Sequence, residues 1–257
     1  MSGDVTLIDA GDGSVSRLVR TASTLFARPG FGPAALVGGL AVTMRLATVH
    51  RATNDVDTVT DGDGPRAIAL EYLGDVKARE SDRVEIDGVK VDVMSTSPLP
   101  TDARELPDGD LDRLFVLGHR WALETAGELS VHVVTATSSS TEPVALRVGT
   151  APALVACKFH AIAGRRDARS EKRESDALDL VRLISDLVRA PAIADWFATA
   201  PFDLTALVSA QAERWLITDA TRTALLINLS ASGGDATMDP DDISAIGNLF
   251  VGMLDAY

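Results

Sequence analysis

The sequence predicts an α+β chain: a mixed β-sheet with helices over residues 1–150, then a mainly α-helical region over 151–257. Two observations carry that expectation. Before residue 150, short runs rich in apolar and β-branched residues recur between turn signals: Ala34 to Val37, Val84 to Ile86, Val89 to Met94, Ser130 to Ala136 and Val144 to Val148. From Pro152 onward the apolar residues fall at helical spacing to the end. A hydrophobic content of 46% in 257 residues is ample for one large domain or two small ones.

Val15, Leu18, Val19, Ala22, Leu25 and Phe26 lie at helical spacing, with Ser14 or Ser16 placed to cap the start. Arg28 to Pro33 breaks that helix and leads into the strand Ala34 to Val37, followed by Gly38-Gly39 and a helical segment, Leu40 to Leu46. Asp61 to Pro65 reads as a turn and Arg66 to Leu73 as a short helix. Val84 to Ile86 and Val89 to Met94, joined by Asp87-Gly88, form a hairpin. This order gives a small mixed sheet with helices on one side. Leu111 to Ala126 is a helix that carries His119, expected at the surface or core edge. Helices then run over Ala153 to Ala163, Asp176 to Leu187, Leu204 to Leu229 and Asp241 to Ala256. Asp239 caps the last of these, with Pro240 at its first position.

Composition narrows the function classes. The single cysteine, Cys157, excludes a disulfide framework within the chain, fits a reducing cytoplasm and reads as a core residue. Met1 to Gly13 is acidic and lacks the regions of a signal peptide, and no apolar run is long enough to span a bilayer. A cytoplasmic protein with no membrane partner is expected. A net charge of −13 argues against indiscriminate nucleic-acid binding but leaves room for a local basic cleft. Lys158 to Arg173 is the conspicuous candidate, although a solvated, charge-mixed helix end reads the same way.

The stretch Ala34 to Asp57 carries the chemistry. Gly38 and Gly39 follow a strand and open a helix, a turn where backbone N–H groups can approach a phosphate. Asp55 and Asp57 alternate on a strand and so point to one face. Adjacent carboxylates repel unless a cation lies between them or water surrounds them, and magnesium suits that role. Asp92, in Val89 to Val93, completes a three-carboxylate cluster if its strand lies beside the first. Singly, Gly-Gly is a tight turn and Asp-x-Asp an acidic loop; the combination is what selects.

Gly38-Gly39, Arg51-x-Thr53-x-Asp55-x-Asp57 and Asp92 resemble the signature of nucleotidyltransferases related to DNA polymerase β. Ala156 to Ile162 with Lys158, then Arg165, Lys172 and Asp176-Ala177-Leu178-Asp179-Leu180, resemble a stretch of one branch, the AbiEii/MenT-like nucleotidyltransferase toxins of toxin–antitoxin systems. Glu174-Ser175 departs from that branch, whose members often carry a basic residue just before the Asp.

The resemblance implies a nucleotidyltransferase domain with a metal site over 1–150 and a helical domain over 151–257 that contributes Lys and Asp to the active site. Asp55 and Asp57 would bind Mg2+ (or Mn2+) in a two-metal site, with Asp92 as third ligand or general base. Gly38, Gly39, Arg51, Thr53 and Arg165 would bind nucleotide. Lys158 would neutralise triphosphate charge, with Asp176 orienting Lys158 or Arg165. The donor would be a nucleoside triphosphate and the acceptor an RNA, the tRNA 3′ end; transfer would block translation, and a cognate antitoxin would restrain it. An enzyme of the same fold acting on a protein side chain or small molecule, and a non-catalytic nucleotide or partner binder, are the alternatives.

Overall fold

Strands form where apolar residues run continuously or alternate, and the sheet order decides which of the two each strand needs. In the computed structural model, residues 3–9, 13–46, 53–64, 83–135, 142–164, 170–230 and 237–257 are described. The chain divides into two compact units: Met1–Met44 with Thr53–Pro98 and Ala122–Thr150, and Arg45–Ala52 with Leu99–Trp121 and Ala151–Tyr257.

The first unit is built on a seven-stranded sheet. Its strands are β1 (Gly3–Asp9), β2 (Ala34–Val37), β3 (Asp55–Asp61), β4 (Arg83–Ile86), β5 (Val89–Thr96), β6 (Gly127–Thr135) and β7 (Val144–Val148). They lie in the order β1-β6-β7-β2-β3-β5-β4. β2 is central and all four of its residues are buried, which is why it reads as an unbroken apolar run. β5 alternates instead, with Val89, Val91 and Val93 buried and Lys90 exposed. The β1–β6, β2–β7 and β3–β5 pairs are parallel, while β2–β3, β4–β5 and β6–β7 are antiparallel, so the sheet is mixed.

The expected hairpin is present. Asp87 and Gly88 both have positive φ, 51° and 76°, which joins β4 to β5 in the sense that matches strand twist. Helix α1 (Ser14–Phe26) buries Leu18, Val19, Ala22 and Leu25 and touches β1, β3, β5, β6 and β7. Its cap differs from expectation: neither Ser14 nor Ser16 caps it, and Gly13 is the N-cap with no side-chain hydrogen bond of its own. The buried Asp9 carboxylate does the work from β1, accepting from Gly13 N, Ser16 N and Ser16 Oγ at 3.0, 2.9 and 2.7 Å. β1 itself was not expected from an acidic N-terminus. Leu7 and Asp9 alone are buried in it, too sparse a signal for periodicity to register.

Helix α2 (Gly38–Arg45) follows β2 without a linker. The expected helix over 66–73 lies outside the described residues. The second unit is helical. It holds most of α3 (Asp110–Thr125), then α4 (Ala151–Gly164), α5 (Ser170–Arg189), the short α6 (Pro191–Ala194), α7 (Leu204–Ala212), α8 (Ala220–Leu229) and α9 (Pro240–Leu254). The architecture is α+β, as the sequence predicts. α4 packs on α5, and α5 packs on α8 and α9. Asp239 caps α9 by accepting from Asp241 N at 2.8 Å, with Pro240 in the first turn.

One expectation fails here. Leu204 to Leu229 is not a single helix, because a π-helical turn, Glu213–Thr218, separates α7 from α8. The wide turn buries Trp215 and Leu216 consecutively, which a uniform α-helix does less readily. Gly247 of α9 sits tight against this turn: a Cβ there would stand 2.7 Å from Leu216 Cβ.

Candidate active site

Strand alternation and register bring the predicted carboxylates together. Asp55 and Asp57 share a face of β3, and Asp57 is aligned with Asp92 across the parallel β3–β5 pair. One carboxylate oxygen from each of the three lies within 4.8 Å of the others, and all three residues are half-buried. Three like charges at that spacing repel strongly unless a cation is shared among them. The donor set is hard oxygen only, and half-burial leaves room for water or phosphate ligands, so the residues fit a magnesium-like ion.

Gly38 is set by the same cluster. Val37, the last residue of β2, is aligned with Asp57, so Gly38 emerges directly against the Asp57 side chain. Its φ is +68°, and a Cβ there would stand 2.7 Å from Asp57 Cβ and nearer still to the carboxylate. Glycine is therefore required at 38 on two separate grounds. Gly39 is buried in the first turn of α2, where its carbonyl accepts from Thr43 Oγ1 at 3.0 Å. No residue of that first turn is itself acidic, and a helix N-terminus favours an anion.

Thr53 is buried and its Oγ1 donates to Asp55 Oδ1 at 3.2 Å. The sequence places Thr53 with the nucleotide ligands; the geometry makes it a hydrogen-bond partner of the carboxylate. Thr58 and Thr60 of β3 and Thr96 of β5 tie the two strands behind the cluster, through bonds to the carbonyls of Asp92, Met94 and Thr60.

In the second unit, Lys158 of α4 is 5% exposed, and its Nζ donates to Asp176 Oδ1 at 2.7 Å. It also pairs with Asp179 Oδ2 at 2.5 Å. Asp179 is fully buried, and its part was not assigned from the sequence. The signal was present in Asp176-x-x-Asp179, because residues three apart on a helix share a face. A buried ammonium held by two carboxylates has one fixed position. Arg51 and Arg165 lie outside the described residues.

Two further groups take no part in this chemistry. Cys157 is buried, and desolvation pushes its thiol up to about 12, so it is inert core. His119, expected at the surface or core edge, is 4% exposed. Desolvation lowers its pKa to about 4, against the raising effect of the Phe115 carbonyl, 2.8 Å from Nδ1. It is neutral at pH 7.

A family model described as "Nucleotidyl transferase AbiEii toxin, Type IV TA system" matches residues 18–211. The chain is a nucleotidyltransferase. It belongs to the AbiEii toxin family of type IV toxin–antitoxin systems, which implies a nucleotide substrate and an antitoxin partner. The crystal structure of ANT(2″)-Ia in complex with adenylyl-2″-tobramycin is similar over 78% of this chain and 97% of that one, at 16% identity and a TM-score of 0.36. No curated protein matches the chain. Among the described residues, no helix is long and apolar enough to cross a membrane.

Proposed function

We propose that the chain transfers a nucleoside monophosphate from a nucleoside triphosphate to an RNA acceptor, the tRNA 3′ end, and so blocks translation in the cytoplasm. The observation that carries the reading is the convergence of Asp55, Asp57 and Asp92 beside the Gly38 turn. Asp55 and Asp57 would hold the divalent metal, Mg2+ or Mn2+, with Asp92 as third ligand or base. When bound, two such ions would stabilise the attacking and leaving oxygens of an in-line displacement.

The chain's own residues do the rest. The backbone at Gly38 and Gly39 approaches the phosphates at the start of α2. Thr53 fixes which oxygen of Asp55 faces the cluster. The acceptor hydroxyl oxygen bonds to the α-phosphorus as the bond to the β-phosphate oxygen breaks, releasing pyrophosphate. The hydroxyl proton passes to Asp92 or to water. By family resemblance, Lys158 supplies positive charge to the triphosphate, and Asp176 with Asp179 sets its position. Arg51 and Arg165 keep their assignment to nucleotide from that resemblance. The cognate antitoxin restrains this activity.

The test is transfer of label from each α-labelled ribonucleoside triphosphate to total tRNA and to total protein, with Asp57→Ala as control. Label on tRNA that vanishes in the variant bears the reading out. Label on protein alone would move the acceptor to a side chain, a reading that the net charge of −13 favours. Nucleotide bound without transfer to any acceptor would mark a non-catalytic binder.

A further inference from the structure

Three arginines of the second unit meet at one aromatic ring. Arg173 of α5, Arg214 of the π-turn and Arg222 of α8 all converge on the ring of Trp215, with guanidinium carbons 5.8, 5.7 and 5.5 Å from its centroid. No two of the three can lie farther apart than the sum of their distances to that ring. Trp215 is 1% exposed, and its indole Nε1 has no hydrogen-bond partner among the described residues. The ring is therefore held by packing, and it serves the arginines as an aromatic seat.

Arg214 and Arg222 are exposed, and among the described residues neither has an ion-pair partner. In a chain of net charge −13, three guanidiniums gathered at one ring offer an anion paired donors, with Glu174, Glu213 and Asp219 the acidic residues nearest to them along the chain. Arg214 and Trp215 both lie in the π-turn, and π-turns recur at functional places in helices. Arg173 ties the surface to the helix pair that carries Lys158. Its Nε donates to the carbonyl of Ile162, one turn beyond Lys158 on α4, at 3.1 Å. It also precedes Asp176 by one turn of α5.

We propose that Arg214 and Arg222, beside Arg173, hold successive backbone phosphates of the acceptor RNA strand; this rests on the RNA-acceptor reading above. Guanidiniums match phosphate oxygens two at a time, and contacts of this kind fix register without reading sequence. An acidic protein could be drawn to the same charges. RNA is favoured because the arginines gather around one aromatic ring, in a narrow cluster suited to a single strand and not spread over a broad face.

The experiment measures binding of bulk tRNA to the full chain across a range of salt concentrations, with the tRNA and nucleotide KM values for label transfer beside it. The variants are Arg214→Gln/Arg222→Gln and Arg214→Lys/Arg222→Lys, with near-ultraviolet circular dichroism reporting the packing around Trp215. The Gln pair is expected to weaken tRNA binding about tenfold or more at low salt. Its slope of log K against log salt should flatten by about 1.4, at ~0.7 per single-strand phosphate contact. The tRNA KM should rise and the nucleotide KM stay, while the Lys pair keeps most of the slope. Unchanged affinity and slope in a folded Gln pair would overturn the proposal and leave the RNA-acceptor reading standing. If the Gln pair instead loses binding only to poly-aspartate, the surface serves an acidic protein and the proposal falls. A wild-type chain that neither binds nor labels RNA would remove the reading and the proposal together.

Discussion

The Asp57 side chain occupies the space that any side chain at Gly38 would need, 2.7 Å from the ideal Cβ position to Asp57 Cβ. The strand end, the helix start and the carboxylate cluster are thereby locked into one geometry. Gly38→Ala must either move Asp57 or move the turn. The backbone strain alone amounts to about 1–2 kcal/mol, because φ is +68°. A drop in transfer activity on the order of 100-fold is expected, with divalent-metal affinity falling in parallel, as Mn2+ titration would show. Normal activity in Gly38→Ala would mean that the turn does not fix Asp57.

Thr53 acts through Asp55, to which its hydroxyl donates at 3.2 Å. Hydrogen-bond partners of metal-binding carboxylates are worth about 10–100-fold in metal affinity. Thr53→Val should show that loss in Mn2+ titration, and Thr53→Ser should restore most of it. A Thr53→Val protein with wild-type metal affinity and a raised nucleotide KM would return Thr53 to direct nucleotide contact.

Lys158 between Asp176 and Asp179 gives a stability prediction separate from activity. Removing one partner of a buried pair leaves an uncompensated charge, a loss of about 3–5 kcal/mol. Lys158→Ala should therefore lower the urea midpoint markedly, since it leaves two buried carboxylates facing each other. Lys158→Met paired with Asp179→Leu should recover part of that stability, yet remain inactive. Activity in the double variant would show that the lysine's role is structural alone.

His119 supplies the pH dependence. Its folded pKa of about 4 lies below the unfolded value of 6.5, because burial disfavours the charged ring. The folded state binds fewer protons, so this contribution is complete above pH 6.5 and is lost as pH falls toward 4, by up to about 3 kcal/mol. His119→Gln should flatten the stability profile in that window. An equal slope in wild type and variant would assign the acid sensitivity to other groups.

Much of this site was legible because it is written in short-range rules. Asp-x-Asp alternation put Asp55 and Asp57 on one face, and the β-branched run around Asp92 marked its strand. The turn signal at Asp87-Gly88 found the hairpin. What the sequence could not supply was long-range pairing: that β5 lies parallel to β3 with Asp92 beside Asp57 is a register, fixed by contacts 35 residues apart. Asp9 as the cap of α1 is of the same kind, since it reaches the helix from a strand paired with residues 129–135. The π-turn at Trp215 escaped because a pattern of period 3.6 continues across it with one residue's slip.

A nucleotidyltransferase moves the α-phosphoryl group with its nucleoside, whereas a kinase moves the terminal phosphate. The most direct measurement compares transfer to tRNA from α-labelled and γ-labelled ribonucleoside triphosphate, in wild type and Asp92→Asn. Label is expected on RNA from the α position only, with γ-label recovered in pyrophosphate, and loss of both signals in the variant. Label on RNA from the γ position, or undiminished α-label transfer by Asp92→Asn, would contradict that expectation.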